Sequence, residues 1–162
     1  MWWTIDTKVN PLERFAATTR STLVHGILEA VHDLGVERRC FVHSFDWSVL
    51  ELARVEAPGV ARSALVEPRL TWRPDSPWTG TIRVQDHAGD VCGGAAEVGA
   101  QVVSAGHELV DAALIERAHM LGLAVLPWTV NAPGWSRTMI ELGVDGHVSD
   151  DPERALALAV SA

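Results

Sequence analysis

Two adjacent polar residues, His43 and Ser44, end an apolar stretch and are candidates for proton transfer or nucleophilic attack. A histidine can act as a general base, but a histidine inside a core strand more often binds one neighbour and stays structural. Ser44 has no histidine and aspartate that match the two supporting roles of a hydrolytic triad. The sequence therefore does not support a serine hydrolase, and it leaves His43 open as a base or a core residue.

The two cysteines, Cys40 and Cys92, have neither CxxC spacing nor a histidine at zinc-finger distance. We therefore predict free thiols, which are typical of a reducing compartment. His25, His32 and His119 lie within helical patterns, where we expect them to touch solvent. Asp145 and Asp150 flank an apolar run and are predicted to act in turns and caps.

Composition limits the class of protein. Of the 162 residues, 48% are hydrophobic, which predicts one domain over residues 1–162 with a core that needs no disulfide or structural metal. The formal net charge of -8 argues against a nucleic-acid partner. The sequence shows neither an apolar stretch long enough for a membrane span nor a signal peptide, so as written it predicts a cytoplasmic location.

A Leu-Gly phrase occurs three times, at Leu34-Gly35, Leu121-Gly122 and Leu142-Gly143. Each phrase follows apolar residues at helical spacing, and glycine is the residue that ends helices in the left-handed conformation. An apolar run follows each one. Such runs are apolar on both faces, as in the strands of a buried parallel sheet.

The whole chain then reads as alternating strands and helices. Six strands are predicted near residues 2–7, 40–44, 61–66, 100–104, 124–129 and 145–149. Asn10-Pro11 is predicted to begin the first helical segment, Asp46 to cap the second helix, and Asp151-Pro152 to begin the last one. Pro68–Gly99 is predicted as a long βα loop, which either covers substrate or is a surface excursion.

Four segments carry a resemblance to a known family. Residues 112–131, which end in Pro-Trp-Thr-Val-Asn, and residues 141–152, which contain Gly-Val-Asp-Gly, closely resemble the last third of glycerophosphodiester phosphodiesterases. Ser44-Phe45-Asp46-Trp47 also matches, and Ile5-Asp6-Thr7-Lys8 resembles the family's Glu-x-Lys strand. The matches follow the family's order over nearly the whole chain.

The resemblance implies an α/β fold, the parallel (β/α)8 TIM barrel. In the family the Glu-x-Lys strand is the third, so the chain is expected to be an N-terminally incomplete barrel of about six βα units, strands three to eight. The family's His-Arg-Gly opening, its Glu-x-Asp metal pair and its second histidine do not occur in the matched order here.

The resemblance also implies roles for individual residues. Asp6 falls at a metal-binding carboxylate, where the family has Glu, and would give one oxygen to Mg²⁺ or Ca²⁺. Lys8 falls at a catalytic lysine that faces the phosphate. Trp128, Asn131 and Ser44 fall at substrate-binding positions, with core packing at the barrel rim as the alternative for Trp128. One carboxylate alone would bind the ion weakly.

Three functions stay open. The first is metal-dependent hydrolysis of glycerophosphodiesters to sn-glycerol 3-phosphate and an alcohol. The second is a truncated or degenerate module without catalysis, which would self-associate through open sheet edges. The third is an unrelated enzyme with a phosphate site at Ser149 and the last helix, where Asp150 and Asp151 would repel an anion.

Overall fold

The computed structural model describes residues 2–160, which form a parallel sheet flanked by helices. Five strands are present in this range: β1 (Trp3–Asp6), β2 (Cys40–Ser44), β3 (Ala61–Val66), β4 (Val102–Ala105) and β5 (Ala124–Val125). All neighbouring pairs are parallel, and the order in the sheet is the order in the chain. This is the architecture of a partial TIM barrel. The predicted domain also includes Met1, Ser161 and Ala162, which lie outside the described residues.

Six helices flank the sheet in this range, and the third of them lies in the segment that was predicted as a loop. They are α1 (Ala16–Asp33), α2 (Trp47–Glu56), α3 (Val91–Glu97), α4 (Ala112–Met120), α5 (Pro133–Leu142) and α6 (Pro152–Val160). The side chains of Asp46, Asp90 and Asp111 accept hydrogen bonds from the first backbone N–H groups of α2, α3 and α4. Helix α1 begins at Ala16, later than predicted, because Asn10 closes a local turn by accepting from Leu12 N.

The apolar core lies between the helices and one face of the sheet. Strand residues that share this face include Val42, Ala64, Val103 and Val125, all buried. Trp47 of α2 is the largest fully buried side chain, and its Nε1 donates to Leu65 O at 3.1 Å. The helices therefore form an outer layer on the sheet, as in a barrel wall.

The opposite face carries a polar row at its β1 end. The strand registers align five residues directly across the sheet: Asp6, His43, Ser63, Val102 and Ala124. Because side chains alternate between the two faces of a strand, these residues point away from the helices. This row therefore lies on the face that would line the barrel interior.

The sixth predicted strand, residues 145–149, does not form a ladder. The segment runs beside β5, and its backbone makes three bonds there: Asp145 N to Val125 O, Val148 N to Pro127 O, and Val130 N to Val148 O. The side chain of Asp145 accepts from Val125 N at 2.8 Å and thereby takes the donor that a sixth strand would use. The described residues therefore form five strands instead of six.

The segment predicted as one long loop, Pro68–Gly99, contains regular structure. Two 3₁₀ turns, Pro77–Thr79 and Val84–His87, precede helix α3. Trp72 packs between Trp47 and His87, with ring centroids 5.6 and 5.9 Å away. The segment is thus folded onto the core. Within residues 2–160, no helix has the length and apolarity that crossing a bilayer requires.

Candidate functional site

The carboxyl ends of the five strands meet at one rim of the sheet. Asp6 ends β1, Ser44 ends β2 and Val66 ends β3, while Trp128 follows β5. In barrels and open parallel sheets, this rim and its loops carry binding and catalytic groups. The fold therefore brings the predicted site residues to the same edge.

Asp6 and Lys8 form an ion pair at the β1 end of the rim. Lys8 Nζ lies 2.5 Å from Asp6 Oδ2, and the two side chains are 77% and 40% exposed. Ca²⁺ takes six to eight oxygen ligands, whereas Mg²⁺ takes six and is usually held by one or two carboxylates together with waters and substrate phosphates. In the part of the chain that the structure describes, no group of three or more His, Cys, Asp or Glu residues could hold a metal ion. Asp6 with its lysine partner therefore does not by itself fit a divalent cation.

His43 lies beside Asp6 in the register but is buried in the sheet. Its Nδ1 is 2.8 Å from Ser63 Oγ. Burial lowers the pKa of His43 to about 4; the charge of Asp6 opposes this shift and that of Lys8 adds to it. The imidazole is therefore neutral at pH 7 and is held by Ser63 on the neighbouring strand. This arrangement fits the core residue that the sequence left open for His43, rather than the general base.

Ser44 is fully buried, and its hydroxyl is engaged by the backbone. Its Oγ donates to Thr7 O at 2.7 Å and accepts from Asp46 N at 3.1 Å. The hydroxyl thereby ties the chain after β1 to the start of α2. Ser44 therefore holds the loop after β1 in place, and its hydroxyl oxygen already has two protein partners.

Trp128 stands on the rim as a half-buried aromatic side chain. Its Nε1 donates to Ser104 O at 2.9 Å, and its ring meets Phe45 edge to face with centroids 5.5 Å apart. Its backbone N–H donates to Ala105 O at 3.0 Å. The Nε1 bond and the contact with Phe45 thus hold the indole ring in one orientation. Core packing, which was the alternative role predicted for Trp128, applies to the edge of the ring that contacts Phe45.

Two hollows open at this rim, and Phe45 lines the first while Trp128 lines the second. The first has a volume of about 350 Å³ and is lined by Thr7, Lys8, Val9, Asn10, Glu13, Thr19, Phe45 and Trp78. The second has a volume of about 740 Å³ and is lined by Val66, Glu67, Pro68, Arg69, Gly106, His107, Glu108, Leu109, Trp128 and Thr129. The rim therefore offers polar space beside Lys8 and beside Trp128.

Several residues that line these hollows were not predicted as site residues from the sequence, among them Phe45, Glu67, Arg69 and His107. The available signal was position: Phe45 and Glu67 directly follow strand ends, and His107 lies two residues after β4. The backbone N–H of His107 donates to Trp128 O at 2.9 Å. This bond places His107 next to the aromatic wall.

Asn131 organises the loop before α6. Its Nδ2 donates to Asp150 Oδ2 at 2.7 Å, and its Oδ1 accepts from Asp150 N at 3.0 Å. Asp151 Oδ1 accepts from Arg154 N at 3.1 Å and so caps the start of α6. The amide of Asn131 is thus used within the loop, and acidic side chains occupy the end of α6 where a phosphate would have to bind.

The comparison with a family model covers most of the chain. Residues 2–154 match the model described as the glycerophosphoryl diester phosphodiesterase family. No curated protein sequence matches the chain significantly.

Solved structures with the same fold are about twice as long as this chain. A protein from Silicibacter pomeroyi DSS-3 assigned as a glycerophosphoryl diester phosphodiesterase is 31% identical, with a TM-score of 0.80 over 99% of this chain and 50% of that one. A glycerophosphodiester phosphodiesterase from Parabacteroides distasonis has 16% identity and a TM-score of 0.71, covering 98% of this chain and 56% of its own.

A phosphodiesterase from Oleispira antarctica, in complex with the product sn-glycerol-3-phosphate, has 15% identity and a TM-score of 0.70. The whole of this chain aligns with 56% of the length of that structure. The chain thus spans about half the length of the solved structures it matches. By the family match and the 31% identity, the chain belongs to the glycerophosphoryl diester phosphodiesterase family.

Proposed function

We propose that this chain takes part in the hydrolysis of glycerophosphodiesters to sn-glycerol 3-phosphate and an alcohol. The observation that carries the proposal is the family match over residues 2–154. Two features of the rim support it: the exposed ammonium of Lys8 and the fixed ring of Trp128. The Oleispira antarctica relative, whose fold is similar, was solved with sn-glycerol-3-phosphate, so a ligand of this type suits the fold.

Each rim residue has a role that follows from its chemistry. Lys8 is a compact, mobile positive charge that can leave Asp6 and donate to a phosphate oxygen, where it would stabilise the charge that develops during cleavage. Trp128 would confine the substrate on one side and exclude water. Ser44 and Asn131, whose polar atoms have protein partners, would act on the substrate by positioning the loops around it.

We further propose that the complete site uses a divalent cation, Mg²⁺ or Ca²⁺, to which Asp6 gives one oxygen. The other carboxylates and the two imidazoles of the family's chemistry would come from polypeptide outside these 162 residues. Support for this division comes from the half-length coverage of the relatives and from the pairing of Asp6 with Lys8.

The test uses the fact that Lys8 is the only lysine in the sequence. Reductive methylation with ¹³C formaldehyde keeps the charge of the lysine and labels only Lys8 and the terminal amine. Titration with sn-glycerol 3-phosphate is expected to shift the Lys8 methyl signal at millimolar ligand and to leave the terminal signal unchanged. Inorganic sulfate serves as the control anion, with a smaller shift expected.

Two variants sharpen this test. Asp6→Asn removes the competing partner of Lys8 and is expected to increase the shift at a given ligand concentration. Trp128→Ala is expected to decrease it, because the wall of the neighbouring hollow is lost. A Lys8 signal that does not respond to sn-glycerol 3-phosphate in any of the three proteins would contradict the proposed role.

A second candidate function is a non-catalytic module of the same family. It is favoured by the absence, within residues 2–160, of a group that could hold a metal ion, together with the burial of His43 at the rim. In this case the chain would bind a glycerophosphodiester or its product without cleaving it. Adding the half of the Silicibacter pomeroyi relative that this chain does not span separates the two candidates: turnover in the mixture supports the first, and binding in the lysine titration without turnover in the mixture supports the second.

We also propose that the chain on its own self-associates through the open edges of its sheet, since unpaired strand edges template pairing with other chains. A reducing compartment such as the cytoplasm is proposed as its location. Support for this location comes from Cys40 and Cys92, which are both free and buried.

A further inference from the structure

Two arginines, Arg54 and Arg62, lie against the same short turn at the amino end of the sheet. Arg62 belongs to β3 and is 5% exposed, whereas Arg54 stands in the last turn of α2 and is exposed. Arg62 Nε donates to Gly99 O at 2.8 Å, and Arg54 Nη1 lies 3.4 Å from Glu97 O. A Cβ at Gly99 would lie 2.7 Å from Arg54 Cδ. The two side chains therefore meet at the turn that follows α3.

Backbone carbonyl groups are the only acceptors that these two side chains have within residues 2–160. Arg62 Nη1 donates to Val60 O at 2.7 Å and lies 3.4 Å from Pro58 O. Its Nη2 has no acceptor in this range and reaches the surface. Burial lowers the pKa of Arg62, and the charge of Arg54 adds to this shift. A buried guanidinium is usually paired with an anionic group, because carbonyl dipoles offset only part of the cost of removing a charge from water.

Carboxylates are available nearby, but they are engaged elsewhere. Glu56 lies two residues after Arg54, and its carboxylate is 3.7 Å from His25 Nδ1. The carboxylate of Glu97, whose backbone carbonyl meets Arg54, is 3.2 Å from His87 Nε2. The two acidic residues closest to this turn along the chain therefore do not neutralise the arginines.

The ends of two helices offset part of the positive charge. Helix α2 ends at Glu56 and α3 ends at Glu97, both next to these arginines. A helix C-terminus carries roughly half a negative charge, so the two ends together offset about one of the two positive charges. About one positive charge then remains on guanidinium groups that approach from two different elements. Forked N–H donors of this kind match the oxygens of a phosphate group.

We infer that Arg54 and Arg62 form a binding site for a phosphate group, carried either by inorganic phosphate or by a phosphomonoester such as sn-glycerol 3-phosphate. Arg62 is the second residue of β3, whose last residue, Val66, reaches the rim. Four residues of a strand span about 13 Å, so this site is well separated from the rim that carries Lys8. Strand β3 has neighbours on both sides, β2 and β4, so the site does not lie at an open edge of the sheet. The inference is independent of the proposed catalysis, because the site lies at the opposite end of the strands.

The test follows the backbone amide signal of Gly99 by NMR in the ¹⁵N-labelled 162-residue chain. Sodium phosphate replaces sodium chloride at constant ionic strength, so that general screening stays the same. The Gly99 signal is expected to shift and to saturate at millimolar phosphate. A second series uses sn-glycerol 3-phosphate: a shift with both ligands supports a site for phosphate groups in general, and a shift with inorganic phosphate alone supports a site for the free ion.

Two variants test the two arginines separately. Arg54→Gln removes one guanidinium at an exposed position and is expected to weaken phosphate binding by about tenfold, as the loss of a charge-assisted hydrogen bond does. Arg62→Lys keeps the charge but loses the forked donors, and a similar weakening is expected. Arg137→Gln is the matched control, because Arg137 is an exposed arginine on α5 and its loss is expected to leave binding unchanged.

Circular dichroism establishes that each variant is folded before binding is measured. A Gly99 signal that does not respond to phosphate, or a phosphate affinity that Arg54→Gln leaves unchanged, would overturn the inference. The Lys8 methyl signal is a separate measurement at the rim. Its failure to respond to sn-glycerol 3-phosphate would contradict the proposed function and leave the result at Gly99 unaffected.

Discussion

Arg20 of α1 donates two hydrogen bonds to Asp46 at the start of α2. Its Nε lies 2.8 Å and its Nη2 2.6 Å from the same carboxylate oxygen, Asp46 Oδ2. The Asp46 side chain is fully buried, and its other oxygen caps α2 by accepting from Ser48 N. Burial raises the pKa of Asp46, and the bonds from Arg20 and Ser48 oppose this shift. The pair links α1 to α2 close to Ser44, which lies two residues before Asp46.

We expect Arg20→Met to lower the free energy of unfolding by about 3–5 kcal/mol, because it leaves a buried carboxylate without its cation. Methionine keeps most of the aliphatic stem, so the change reports mainly on charge. Urea denaturation measures the effect. The matched control is Arg117→Met, since Arg117 donates to Asp90 with the same two-donor geometry but is 45% exposed.

The Arg117 variant is expected to lose much less stability than the Arg20 variant, because water screens exposed pairs and solvates the remaining carboxylate. Equal losses in the two variants would contradict the assignment of the Arg20 pair as a buried link.

His43 predicts a pH dependence of stability. Its pKa is about 4 in the folded chain and near 6.5 when unfolded, so the unfolded state binds the proton more readily between these values. Stability is therefore full above pH 6.5 and falls as the pH drops towards 4, by up to about 3 kcal/mol from this group. Urea unfolding at several pH values between 4 and 7.5 measures it.

In His43→Gln this part of the pH dependence is expected to disappear, while the residual slope from carboxylates stays. A His43→Gln variant with the same slope as the unchanged chain would show that His43 is already accessible to protons in the fold.

Gly94 predicts a steric effect in α3. A Cβ at this position would lie 2.3 Å from Cη2 of Trp72, which is closed in by Trp47. Gly94→Ala is expected to destabilise the chain by about 1–3 kcal/mol despite the better helix propensity of alanine. Gly134→Ala is the control in α5, where an added Cβ would meet no atom within 4 Å beyond its chain neighbours and its own helix backbone, and it is expected to gain about 0.5–1 kcal/mol.

Turnover is the fourth prediction. The 162-residue chain alone is expected to release no sn-glycerol 3-phosphate from glycerophosphocholine above background with Mg²⁺ or Ca²⁺ present. Asp6 is paired with Lys8, and within residues 2–160 no group of three or more metal-binding side chains supports it. A coupled assay for glycerol 3-phosphate measures this. Turnover that disappears in Asp6→Ala would refute the prediction and would mean that other groups of this chain complete the site.

The strands and helix ends were predictable where one residue decides the local structure. Strands β2 and β3 match their predicted bounds, since unbroken apolar runs have few alternatives inside a parallel sheet. Gly35, Gly122 and Gly143 end their helices with positive φ as predicted. Helix α3 was missed because Gly93 and Gly94 weaken its helical pattern, and only the cap Asp90 indicated it.

The positions of the candidate site residues were predictable, and their roles stay predictions. The resemblance placed Asp6, Lys8 and Trp128 at one rim, where the structure also has them. The engagement of Ser44 by Thr7 O and Asp46 N was hidden, because those partners lie on different elements. The same holds for Arg20, 26 residues from its partner, whose pairing no local pattern reveals.

The match between sheet order and chain order bears on how the protein is made. Each strand pairs with the one that precedes it, so no contact between strands has to wait for a distant segment. A chain emerging from the ribosome can therefore add one unit at a time to a growing edge. The direction of synthesis then coincides with the direction of assembly.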